Sequence, residues 1–76
     1  MKTAHDIFLD ALRFKQQGLS PLTIKERLID IGHDNGFGQI DENSAAGGAQ
    51  PATIALRFPN GELIYFDGSD WHHCKL

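Results

Sequence analysis

Residues 53–67 read TIALRFPNGELIYFD, two apolar runs hinged on Pro59-Asn60-Gly61. Asn-Gly is the pair that best tolerates the positive φ angles of a type I′ turn, so a two-residue hairpin over Asn60 and Gly61 is predicted. That turn sets Pro59 opposite Glu62, Phe58 opposite Leu63, Arg57 opposite Ile64, Leu56 opposite Tyr65 and Ala55 opposite Phe66. The chain continues as DGSDWHHCKL, where Gly68-Ser69 supplies a second tight turn. Phe66 then faces Trp71, Tyr65 faces His72, Ile64 faces His73, Leu63 faces Cys74 and Glu62 faces Lys75. Each such pair contributes about 0.2–1 kcal/mol, which favours this register over a slip by one residue without excluding it. The expected product is a three-stranded antiparallel meander over residues 53–76.

Side chains alternate across a strand, so this register places Ile54, Leu56, Phe58, Leu63, Tyr65 and Cys74 on one face, the expected core. The opposite face receives Ala55, Arg57, Ile64, Phe66, Trp71 and His73, where a half-solvated sheet ordinarily carries polar groups. Exposed apolar and aromatic side chains beside an arginine mark an interaction surface, which makes Arg57, Ile64, Phe66, Trp71 and His73 the candidate partner-binding residues. The competing expectation is that the preceding loop folds over this face and lays Phe37 or Ile40 against Ile64 and Phe66.

Upstream, Ala4, Ile7, Phe8, Ala11 and Leu12 recur at spacings of three and four and predict a helix from Thr3 to Gln17. Thr3 with Asp6 three residues on caps its start, and Gly18 supplies the left-handed conformation that stops it. A second helix is signalled by LSPLTIKERLIDIG, with Ser20 as N-cap, Pro21 in the first helical position, Leu19 stapled on Ile24, and Gly32 as the stop. Together these make a helical hairpin over residues 3–32. Residues 33–52, HDNGFGQIDENSAAGGAQPA, are rich in Gly and Ala and read as a flexible loop with Phe37 and Ile40 as its bulky anchors. The whole is one small α+β domain in the order α-α-β-β-β, a helical hairpin on one face of the meander.

At 76 residues the chain has little interior for a deep substrate cavity. Seven Lys and Arg against ten Asp and Glu leave a formal charge of −3, with no positive excess to hold a phosphate backbone. GLSPLTIKERL resembles the opening helices of bacterial helix-turn-helix proteins, and a later hairpin is imaginable as a wing, with Lys25 and Arg27 as its basic groups. No basic recognition helix follows, which makes nucleic-acid binding the alternative rather than the leading reading. A single cysteine, Cys74, rules out an internal disulfide and suits a reducing, cytoplasmic setting. The residues MKTAHDIFLD lack the apolar core of a secretory signal, and no apolar run is long enough to span a bilayer.

The WHHC stretch, residues 71–74, brings two histidines and a thiol together in sequence. Neighbours on a strand point to opposite faces, so at most His72 and Cys74 share a metal site, with His33, His5 or Asp67 as the further ligands zinc would need. These two are weak metal candidates, because neither CxxC nor HxxxH spacing accompanies them. Thiol catalysis by Cys74 is disfavoured by its expected place on the core face, where thiols are inert. No catalytic residue and no cofactor is therefore assigned. The expected function is that of a small non-enzymatic adaptor or inhibitor, a regulatory accessory protein of bacterial or phage type, binding another protein or a second copy of itself.

Overall fold

The computed structural model describes residues 1–42 and 54–75. Two helices, α1 (Ala4–Gln16) and α2 (Pro21–Asp34), precede three strands, β1 (Ile54–Arg57), β2 (Glu62–Phe66) and β3 (Trp71–Lys75), which form one antiparallel sheet in the order β1-β2-β3. The helices pack on each other and on one face of the sheet, α1 against β2 and β3 and α2 against β1. The α-α-β-β-β architecture is as the sequence predicts. Most of the expected loop at 33–52 lies outside the described residues.

The helix ends follow from local chemistry. The Thr3 hydroxyl accepts the Asp6 N–H at 3.2 Å while the Asp6 carboxylate accepts the Thr3 N–H at 3.0 Å, which satisfies two donors the first turn leaves without helical partners. Those bonds hold the Asp6 carboxyl below its ordinary range, the Thr3 backbone bond contributing most. Gly18, at φ +87°, ends α1. Ser20 caps α2, and Pro21 opens it. Ile24 lies in the core, and Leu19 packs against it from the rim.

Gly32 does not stop α2, which runs on to Asp34 with Asn35 as its C-cap. Its task is close approach: a Cβ there would stand 2.4 Å from Ile40 Cδ1 and 3.6 Å from Phe58 Cε2. The chain leaving α2 packs back over this point. Phe37 meets Phe58 edge-on with ring centroids 4.9 Å apart, and Asp41 exchanges two backbone hydrogen bonds of 2.9 Å with Arg57, extending the sheet beyond β1 by one isolated bridge. Phe37 and Ile40 thus complete the core at its Phe58 end, whereas the expectation that they would cover a helix-free face bearing Ile64 and Phe66 fails because the helices cover those two.

The sheet departs from expectation at its first turn. β2 and β3 pair as predicted, from Glu62 with Lys75 to Phe66 with Trp71, but β1 pairs with β2 one residue out of the predicted register: Ile54 with Phe66, Ala55 with Tyr65, Leu56 with Ile64, Arg57 with Leu63. The cause is a three-residue loop. The Phe58 N–H donates to the Glu62 carbonyl at 2.8 Å, the Gly61 N–H donates to the Phe58 carbonyl at 3.0 Å, and Gly61 alone has positive φ, +91°, so Asn60 is not left-handed as a type I′ turn demands. Pro59 and Asn60 occupy the centre of a type I turn, and Gly61 takes the bulge position that follows it. Residues that the two-residue turn would have put on opposite faces now share one. Ile54, Leu56 and Phe58 face the helices together with Ile64, Phe66 and Trp71, and these meet Ile7, Ala11, Phe14, Ile24 and Leu28 in a single core.

Candidate functional site

The register overturns the proposed docking face. Ile64 is 0 % exposed, Phe66 7 % and Trp71 3 %, all sealed beneath the helices. His73 sits on the same inner face at its rim, against α1. Arg57 alone of the five candidates lies on the helix-free face, and it is exposed. Leu63, Tyr65 and Cys74, expected inside, lie on that helix-free face with it, because the inner and outer sets of β2 and β3 have exchanged.

That outer face consists of Ala55 and Arg57 from β1, Leu63 and Tyr65 from β2, and His72 and Cys74 from β3. Ala55 and Leu63 are buried, Tyr65, His72 and Cys74 are half-buried, and Arg57 stands out from them. Tyr65 and His72, paired across the strands, stack with centroids 5.0 Å apart and planes inclined by 27°. His72 Nε2 lies 2.8 Å from Asp67 Oδ2. The other Asp67 oxygen accepts the backbone N–H groups of Ser69 and Asp70, each at 2.8 Å. Chiefly through those backbone bonds, first Asp70 and then Ser69, with His72 adding to them, the Asp67 carboxyl is lowered to about 2. Arg57 also borders an open groove along the β1 edge whose walls include Ile40, Phe58 and Pro59.

His72 and Cys74 share a face, as period-two alternation requires, but His72 is engaged by Asp67, and His5 lies on the opposite face of the sheet, beside His73. Among the described residues no group of three or more His, Cys, Asp or Glu side chains is placed to hold a metal ion. Cys74 is a free thiol, half-buried opposite Leu63.

The inner rim holds a group that sequence reasoning missed. His73 Nε2 lies 3.0 Å from Glu62 Oε1, and its Nδ1 lies 3.4 Å from Nδ1 of His5, the second residue of α1. Asn60 Nδ2 donates to Glu62 Oε2 at 2.6 Å, tying the chain of groups to the hairpin turn. Half of this was legible: the β2–β3 register alone makes Glu62 and His73 diagonal neighbours on one face. His5 joins them only because α1 docks on that face.

The basic residues of α2 are already engaged within the fold. Lys25 Nζ pairs with Glu42 at 3.1 Å, and the Arg27 guanidinium lies 5.7 Å from the Phe14 ring centroid. Among the described residues after α2 no further helix occurs, and no described helix is long and apolar enough to cross a membrane. Comparison of the chain with protein-family models, with curated proteins and with solved structures found no match.

Proposed function

We propose that the chain is a small non-enzymatic protein-binding module, a regulatory adaptor or inhibitor acting in the cytoplasm, and that its contact surface is the helix-free face of the sheet. One observation carries this reading. Exposed Arg57 shares the helix-free face with the Tyr65–His72 stack and also lines the groove beside Ile40, Phe58 and Pro59. Tyrosine and arginine are the side chains that anchor protein interfaces most often, because each combines a large contact area with directed hydrogen bonding. Both project from a rigid, paired strand, so little conformational entropy is lost when a partner closes on them.

Removing both anchors tests the reading without touching the core. The immobilised full chain and its Arg57→Ala/Tyr65→Ala variant are each incubated with lysate of the source organism, with Glu26→Ala on the far side of α2 as control, and the retained proteins are identified by mass spectrometry. The expected result is a protein held by wild type and by the control and lost, at least tenfold, from a double variant whose circular-dichroism spectrum is unchanged. Light scattering in parallel distinguishes a second copy of the chain as the partner. Retention that survives loss of both side chains overturns the reading, as does a chain that retains nothing and stays monomeric.

A further inference from the structure

We propose that His5 and His73 form a chelating pair for a borderline divalent transition-metal ion, of which zinc is the representative. Their Nδ1 atoms are 3.4 Å apart, with ring centroids 5.4 Å apart and planes inclined by 46°. Two imidazole nitrogens bound to zinc at about 2.0–2.1 Å and subtending a tetrahedral angle stand roughly 3.4 Å from each other. A nitrogen–nitrogen hydrogen bond this long is weak, whereas the same spacing suits two ligands of one ion.

The fold prepares His73 for the role. Its Nε2 faces the Glu62 carboxylate, an acceptor, which favours a ring proton on Nε2 and so directs the Nδ1 lone pair toward His5. A carboxylate on the far nitrogen of a metal-bound imidazole fixes the ring and raises its basicity. The His73 and Glu62 side chains are only 13 % and 11 % exposed, and Glu62 is held in turn by Asn60. Phe8 walls the pair, its ring 5.7 Å from His73 and 6.1 Å from His5. His5 is exposed, which leaves the remaining coordination positions open to water. With two protein ligands the site binds less tightly than a four-ligand structural zinc site.

Because the two ligands come from α1 and β3, an ion bound between them stabilises the docked helix, and its binding is readable as a rise in the thermal midpoint. Zinc chloride alone is titrated into untagged full-length chain by calorimetry, with melting followed in parallel. One ion per chain and an upward midpoint shift are expected. His5→Ala and His73→Gln each abolish both signals, Glu62→Gln weakens binding about tenfold, and His72→Ala and His33→Ala leave it unchanged. His5→Ala removes an exposed side chain and keeps the fold, so its result stands even where His73→Gln unfolds. Absence of saturable binding, binding indifferent to His5→Ala, or binding lost with His72→Ala overturns the proposal.

Discussion

Asn60 and Asp67 show how much a turn residue can do with its side chain rather than its backbone. Asn60 looked like a residue chosen for positive φ, yet it leaves that to Gly61 and instead accepts the Glu62 N–H on Oδ1 at 3.0 Å while donating from Nδ2 to the Glu62 carboxylate. Asp67 gathers two backbone N–H groups and His72 at the next turn. Its carboxyl, lowered in the folded chain to about 2 from 3.8, is a depressed acid, so the stability it contributes is full above about pH 4 and is lost as pH falls toward 2. An Asp67→Asn variant accordingly melts below wild type near neutral pH, and the gap between the two midpoints closes between pH 4 and 2. Melting curves across that range check it, and a gap that ignores pH would refute the assignment. The bonds behind this shift are local, within residues 67–72, but choosing them from sequence required knowing which way each turn folds.

At the scale of the elements, helix starts were legible because their signals are covalently close: Thr3 with Asp6 and Ser20 with Pro21 act within four residues. Gly18 was legible for the same reason. Gly32 was not, since its purpose is set by Ile40 and Phe58, which reach it only after the chain has turned back. A valine there must displace the Ile40 side chain, its Cβ standing at contact distance from Phe58, and Gly32→Val is expected to cost about 1–3 kcal/mol, the usual penalty for overfilling a packed site. Urea denaturation measures it; a neutral or stabilising result would show that Ile40 can swing aside freely. Lys15, which donates to the Ser69 carbonyl at 2.8 Å and pairs with Asp70 at 2.6 Å, ties the end of α1 to the second turn. Both partners of that pair are largely exposed, so it contributes at most about 1 kcal/mol and orients the helix more than it holds it.

Over the whole molecule the rings expected on the surface are the ones that hold it together. Phe66 and Trp71 lie against each other with centroids 5.3 Å apart beneath the helices. Phe66→Ala is expected to cost about 3–5 kcal/mol, a loss that a domain this small can scarcely survive folded. Trp71→Phe keeps a ring in place and gives up an indole N–H that finds no acceptor among the described residues, and is expected to cost far less. Thermal unfolding of the two variants separates them. Equal and slight effects would restore the surface reading of this face. The composition, the two helices, the three strands, their order and the β2–β3 pairing all followed from residues near one another in the chain, because caps, periodicity and short turns act locally. The side of the sheet that meets the helices did not. The two registers of β1 on β2 differ by a few cross-strand pairs at about 0.2–1 kcal/mol each, while burying large side chains such as Ile64, Phe66 and Trp71 contributes about 1.5–3 kcal/mol apiece. Only when α1 and α2 lie on the sheet is that larger energy available, and it selects the three-residue turn, the inner face and the meeting of His5 with His73.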